Sequence, residues 1–445
     1  MKTALVPEKG FSPLHVRTPL LRSSPLSKLL NRNVYLKLDS FQRSGSFKDR
    51  GMSVLLQHYK NNGIKKVISS SGGNAGIACA TIANQLNMAC HVIVPKTTAA
   101  ISIAKMQLQN ANVTIHGNNW NDSDEHARGI VEKNKGEYSY VHPFDHPLLW
   151  KGHSTVIHEI SEQWKQDFGF SSPPDAIICS VGGGGLLNGI CLGMNELGWG
   201  GSTSIITAET IGCESFYQSF IQKKLVTLES ITSIATTLGA RQIQKDCLTF
   251  VQDKHCVPLT VTDAQTIEAI GLFLNDHKIL VEPACAASLA LVYQQHPVFQ
   301  QFQHIVIEVC GGSGIDLQLL QNKVEMVKRL LSIITYKAAG FIIDLIISFF
   351  LSLFTFYAED IMDEKKIITE LKHILHITFA LGKKTAFFYL IKKRDTNEIE
   401  QRIHTKNHEE YLMNHELQER EKRNEYLLVS LRKLFCHRKK VSSLL

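Results

Sequence analysis

Several short runs of this sequence are apolar almost from end to end instead of on alternate residues. They are Cys90-His91-Val92-Ile93-Val94, Ala176-Ile177-Ile178-Cys179-Ser180-Val181, Ser204-Ile205-Ile206-Thr207-Ala208 and His304-Ile305-Val306-Ile307-Glu308-Val309. A strand of that kind is buried on both faces, which is how a parallel sheet covered by helices reads. Longer amphipathic runs lie between, opened by glycine-rich or polar turns, as where Lys66-Val67-Ile68-Ser69 leads to Ile77-Ala78-Cys79-Ala80-Thr81-Ile82-Ala83. The alternation holds to about residue 330 and predicts an α/β architecture without internal repeats.

Composition narrows the function class. At 445 residues and 44% hydrophobic, the chain has room for two or three domains and is too apolar for disorder. A net charge of +7 is mild over this length, and no basic stripe interleaves with aromatics, so nucleic acid is not an expected partner. The ten cysteines form no C-x-x-C pair, and Cys79, Cys179 and Cys310 sit in or at the end of apolar runs. They are expected to be buried thiols in a reducing compartment. Met1 to Glu8 lacks the apolar core of a secretory signal, which points to a cytoplasmic location.

Five segments carry chemistry. In Ser44-Gly45-Ser46-Phe47-Lys48-Asp49-Arg50-Gly51, a lysine beside a phenylalanine can be desolvated, which lowers its pKa and favours the neutral amine that condenses with a carbonyl; read alone, the segment is first of all a surface lysine in a turn, since lysines are mostly exposed. Ser70-Ser71-Gly72-Gly73-Asn74-Ala75-Gly76 joins a strand to a helix, where free amides favour an anion, unless it is only a serine-capped connection. Gly182-Gly183-Gly184-Gly185-Leu186-Leu187-Asn188-Gly189 is a second such loop, able to wrap a phosphate. The dinucleotide pattern G-x-G-x-x-G fails there, because Leu187 or Asn188 takes its third glycine position, and Glu209 alone does not restore a ribose site. Cys310-Gly311-Gly312-Ser313 places a thiol after the last strand, and Val281-Glu282-Pro283-Ala284-Cys285 reads as a proline-started helix.

In this order the segments resemble the fold-type II pyridoxal-phosphate enzymes, and within them the L-serine dehydratases, most of all the serine dehydratase-like branch. The resemblance spans about residues 12–328. It also rests on Leu14-His15-Val16-Arg17-Thr18-Pro19, Val34-Tyr35-Leu36-Lys37-Leu38-Asp39-Ser40 and Pro143-Phe144-Asp145-His146-Pro147-Leu148-Leu149-Trp150-Lys151-Gly152-His153. It implies two parallel-sheet α/β domains: a large cofactor-binding domain from residues 1–54 and 151–330, and a small domain from 55–150.

The resemblance also implies roles. Lys48 matches the lysine that carries the cofactor and acts as general base, Phe47 the ring packed on its face, and Asn74 the partner of its 3-hydroxyl. Gly182, Gly183, Gly184, Gly185 and Leu186 match the phosphate loop, Pro143 lines the pocket, and Cys310 matches the partner of the pyridine nitrogen. Ser71, Gly72, Gly73, Asn74 and Ala75 match the cradle for the substrate carboxylate. A potassium site is implied, with a carboxylate from Glu209 and carbonyls from Gly182, Cys213, Leu238 and Ala240. The implied reaction is dehydration and deamination of L-serine or L-threonine by a homodimer.

Three positions depart from the usual dehydratase pattern. Asp49 follows Lys48 where an apolar residue is usual, Thr237 stands where a small alanine is usual, and Gly72 resembles the dehydratase-like branch, which the family associates with weaker activity; all three bear on rate and on the choice between serine and threonine. Serine racemase is the alternative enzyme, but racemases carry Gly-Asn-His where this chain has Gly73-Asn74-Ala75. A membrane-tethered pseudoenzyme that only binds ligand is the non-enzyme alternative. Residues 331–445 have no counterpart in the family and read as an atypical helical extension. Within it, Ala338–Tyr357 holds one charge, Asp344, and is long enough for a transmembrane helix. An anchor with the catalytic part cytosolic, a packed apolar helix and a segment foreign to the enzyme all fit that composition.

Overall fold

The computed structural model describes residues 12–252 and 254–329. The expected transmembrane segment 338–357 lies outside them. No helix among the described residues is long and apolar enough to cross a membrane.

The strands are β1 (Leu20–Arg22), β2 (Asn33–Lys37), β3 (Lys66–Ser69), β4 (Ala89–Val94), β5 (Asn112–Ile115), β6 (Tyr138–Val141), β7 (Ala176–Ser180), β8 (Ser204–Thr210), β9 (Cys256–Val261) and β10 (His304–Glu308). The helices up to β7 are α1 (Ser24–Leu30), α2 (Lys48–Asn61), α3 (Asn74–Gln85), α4 (Ala100–Leu108), α5 (Trp120–Lys133) and α6 (Pro147–Gln166). Then come α7 (Gly185–Glu196), α8 (Ser215–Gln222), α9 (Cys247–Val251), α10 (Asp263–His277) and α11 (Pro283–Tyr293).

The strands form a six-stranded sheet, ordered β1-β2-β10-β7-β8-β9, and a four-stranded sheet, ordered β5-β4-β3-β6. The inner strands β7 and β8 are buried along their whole length, whereas the edge strand β5 is not. That contrast is what continuous apolar runs predict. Every pairing is parallel except β1 with β2. β1 has only three residues and buries only the first, so it leaves too little pattern to read.

Glycines set how closely three helices approach. Gly185, Gly189 and Gly193 recur every four residues and so share one face of α7. A Cβ on Gly189 would lie 2.4 Å from His153 Cβ, and one on Gly193 would lie 2.7 Å from Ile157 Cβ, both on α6. A Cβ on Gly152 of α6 would lie 2.2 Å from the Arg50 carbonyl of α2. These near-contacts hold α7 against α6 and α6 against the start of α2.

A buried ionic cluster anchors the start of α2. Arg50 is fully buried and grips both Asp39 oxygens at 2.7 Å through Nε and Nη2. It also donates to Glu159 of α6 at 2.7 and 2.8 Å, and Lys37 Nζ donates to Glu159 at 2.6 Å. Burial would raise the Glu159 carboxyl, but Arg50, His15 and Lys37 outweigh it and hold the group below the ordinary carboxylate range. Lys48 is two residues before Arg50, so the cluster fixes where its side chain leaves the helix.

Candidate active site

Four loops leave the carboxyl ends of β3, β6, β7 and β10, where open α/β sheets bind ligands. They carry Ser70 to Asn74, His142 to Phe144, Gly182 to Leu186, and Cys310 to Ser313.

Lys48 opens α2. Its Nζ donates to the Pro143 carbonyl at 2.6 Å and lies 5.0 Å from the centre of the Phe47 ring. Lys48 is half-buried overall, but desolvation of its amine lowers its pKa to about 8, opposed by a weaker effect of Cys310. The Phe47 amide donates to the Cys310 carbonyl at 2.9 Å, which ties the Lys48 turn to the end of β10. Phe47 rests edge-on against His153 at 5.0 Å. The Cys310 thiol is buried, and a hydrogen bond with Cys285, with burial behind it, raises its pKa well above the ordinary range, so it is a neutral thiol.

The two anion-ready loops differ in their caps. Gly73 is the N-cap of α3, without a side-chain cap, so the serine cap considered for this loop is absent. Ser71 Oγ instead accepts from the Gly73 amide at 3.3 Å. Gly184 is the N-cap of α7 at φ 90°, a conformation that glycine adopts without strain. Among the described residues, no acceptor meets the amides of Gly183, Gly184, Gly185 or Leu186, nor those of Asn74, Ala75 or Gly76.

Asn74 is held at both ends. Its Nδ2 donates to Glu282 Oε1 at 2.5 Å, and its Oδ1 accepts from Ser313 Oγ at 2.6 Å. Thr237 Oγ1 also donates to Glu282 Oε1, at 2.9 Å, and a Cβ on Gly73 would come within 3.3 Å of the Thr237 methyl. Burial raises the Glu282 pKa, against the hydrogen bonds from Thr237 and Asn74. Lys105 of α4 reaches the Ser313 carbonyl at 2.5 Å. Sequence reading took Glu282 only as the residue before a helix-starting proline and missed Ser313, Lys105 and His142. An acid directly after the apolar run Ile279-Leu280-Val281 was the available signal for Glu282.

The residues expected to hold a cation are partly engaged with protein. Glu209, fully buried, accepts from the Phe216 and Tyr217 amides at 2.9 and 2.6 Å, and burial pushes its pKa up to about 8. The Cys213 carbonyl accepts from Ser215, and the Leu238 carbonyl from Ala240. A Cβ on Gly182 would lie 3.2 Å from Leu238 Cα, so these two residues adjoin. Among the described residues, no group of three or more His, Cys, Asp or Glu could hold a metal ion.

The family model for pyridoxal-phosphate dependent enzymes matches residues 11–311. The chain belongs to this family. Human L-serine dehydratase/L-threonine deaminase is 39% identical over 332 residues, 72% of this chain and 98% of its own length. Human serine dehydratase-like is 36% identical over 317 residues, 69% of this chain and 94% of its own. The crystal structure of an L-serine ammonia-lyase from Rhizomucor miehei superposes with a TM-score of 0.66 at 34% identity, covering 71% of this chain and 99% of that one. The site fits the family cofactor. A pyridoxal phosphate needs an amine for its aldehyde, amides for its phosphate and an uncharged or acidic partner for its ring nitrogen. Lys48, the unpaired amides that open α7, and the neutral Cys310 thiol are of those kinds.

Proposed function

We propose that this chain is a pyridoxal-phosphate-dependent L-serine ammonia-lyase, which removes water from L-serine, and from L-threonine as a second substrate, to give pyruvate or 2-oxobutanoate and ammonia. The observation that carries this reading is the desolvated Lys48 amine, held at 2.6 Å by Pro143 among the loops that end β3, β6, β7 and β10. The names of the relatives supply the substrate class.

When bound, the cofactor supplies an electron sink conjugated to the substrate α-carbon. The chain's own residues do the rest. The amides of Gly183 to Leu186 bind the phosphate, assisted by the positive end of α7. The amides of the Ser71–Ala75 loop bind the substrate carboxylate in the same way. Lys48 Nζ takes the α-proton; an amine with a pKa near 8 is neutral often enough at physiological pH to act as a base. The neutral Cys310 thiol would be the partner of the cofactor's ring nitrogen and would offer it no charge. Glu209, with carbonyls from Gly182, Cys213, Leu238 and Ala240, is the proposed potassium site; its oxygen donors suit a hard cation. A large domain from residues 1–54 and 151–330 and a small one from 55–150 belong to the same proposal, as does a homodimer.

The test is pyruvate release from L-serine by the full chain loaded with pyridoxal phosphate in potassium buffer. Pyruvate from the wild type and none from Lys48→Ala is the expected result. D-serine accumulating without pyruvate would replace the lyase with a racemase.

A further inference from the structure

Three histidines in this chain precede proline, and all three cap the same way. His142, His146 and His296 come before Pro143, Pro147 and Pro297. Each ring accepts at Nδ1 from the amide two residues on: Phe144 at 3.2 Å, Leu148 at 3.1 Å and Val298 at 3.2 Å. Proline has no N–H, so the second residue offers the first amide the ring can reach. His146 and His296 thereby open helical segments. His142 opens no helix. It closes a turn and takes a second amide, from Asp145 at 2.8 Å. A ring nitrogen that accepts two amides carries no proton, which assigns the proton to Nε2.

The contents of this turn set it apart. The Pro143 carbonyl holds Lys48 Nζ at 2.6 Å. The Phe144 carbonyl accepts from Trp150 Nε1 at 2.8 Å. The Phe144 ring wedges against the tetraglycine loop: a Cβ on Gly183 would lie 2.4 Å from the ring, and one on Gly185 would lie 2.9 Å from the Phe144 carbonyl. One four-residue turn therefore touches both the amine and the loop. The charged and titratable groups facing His142 are Asp124 and Arg128 of α5, Lys48 of α2, Tyr140 of β6 and His146; burial dominates and keeps the ring uncharged.

We propose that His142 is a positioning residue: by accepting the Phe144 and Asp145 amides, it aims the Pro143 carbonyl at Lys48 and seats Phe144 under the glycine loop. This rests on reading Lys48 as the reacting amine.

Two substitutions test it. In His142→Asn the side-chain oxygen can accept the same amides in an Asx turn, whereas His142→Leu has no acceptor. In cofactor-free full-length protein, the pH profile of Lys48 acylation, read by peptide mass spectrometry, should give an amine pKa of about 8 in the wild type and in His142→Asn. In His142→Leu it should fall further, because the ammonium loses its carbonyl acceptor while its burial remains. Turnover in the Leu variant should fall about 100-fold, the scale of a ~1 Å misplacement of a reacting group, with rescue by Asn. A Leu variant with the wild-type acylation profile overturns the proposal, and so does a folded Asn variant that behaves like Leu. If the Leu variant does not fold, the wild-type imidazole nitrogen shifts decide: a bare Nδ1 with a protonated Nε2 is expected, and a protonated Nδ1 overturns it. Borohydride reduction of the loaded wild type with peptide mapping tests the underlying reading separately, since a label away from Lys48 removes that residue whatever His142 does.

Discussion

Glu282 and Asn74 meet at 2.5 Å, carboxyl oxygen to amide nitrogen, joining the residue before α11 to the first residue of α3. The contact links the two sheets at the site, and it fixes which end of the Asn74 amide faces which way. Glu282→Ala should leave the Asn74 amide and the Thr237 hydroxyl without their acceptor and cost about 1–3 kcal/mol in urea unfolding. Glu282→Gln keeps an acceptor oxygen and should cost less. Equal losses in the two variants would show that the contact itself contributes nothing.

Lys48 should capture pyridoxal phosphate faster as pH rises. Burial of its amine lowers the pKa to about 8, so the neutral fraction grows through pH 8 and levels above it. Stopped-flow absorbance of cofactor-free protein mixed with pyridoxal phosphate would show that inflection. An inflection near 10 would mean that the amine is solvated.

If Glu209 holds the proposed potassium ion, potassium binding and pH are linked through its carboxyl. With its folded pKa pushed up to about 8, the buried carboxyl keeps a proton that the unfolded chain releases near 4.5. Stability from this group is therefore present below pH 4.5 and is lost as pH rises toward 8. A bound cation should reverse the loss, because it competes with the proton for the carboxylate. Potassium should therefore raise Tm more at pH 8.5 than at pH 6.5 relative to tetramethylammonium, and Glu209→Gln should remove the difference. A potassium effect that survives in Glu209→Gln would place the cation elsewhere.

Arg50→Met should cost about 3–5 kcal/mol, because it removes the cation paired with the buried Asp39 carboxylate and leaves Glu159 with Lys37 as its close cation. Arg50→Lys should not restore stability, since one ammonium cannot match two paired oxygens on each of two acids. Chemical denaturation of both variants checks this; a lysine variant as stable as wild type would show that charge alone suffices.

Glycine-to-alanine exchange should have opposite signs in two helices. Alanine gains up to about 1 kcal/mol of helix propensity. In α5 nothing lies within 4 Å of a Cβ on Gly129, so Gly129→Ala should stabilise. In α7 the Gly189 Cβ would meet His153 at 2.4 Å, and overpacking of about 1–3 kcal/mol should win. Thermal unfolding of the two variants reads the signs directly.

The parallel sheets were legible because β7, β8 and β10 are apolar along most of their length, whereas the glycine loops and the Lys48 turn each read alone as ordinary turns and stood out only through their collinear order. The support beneath them was not legible. Arg50 pairs with Asp39 eleven residues away and with Glu159 one hundred and nine away, separations that follow no helix or strand period. Glu282 looked like helix punctuation, and its partners Asn74, Thr237 and Gly314 come from three other segments. The His-Pro pairs were visible in the sequence, but nothing there says which of the three would close over the lysine.

The tetraglycine loop would outlive its reaction. Gly183 is pressed to the Phe144 ring, and Gly184 has both a left-handed backbone and the Cys247 sulfur 2.0 Å from where a Cβ would stand. Packing alone forbids side chains there, so a descendant that had lost catalysis would still have to spell these glycines to fold. The loop is therefore a poor witness to living activity. Lys48, which no ionic cluster needs and whose amine has one carbonyl partner, is the position where decay would show first.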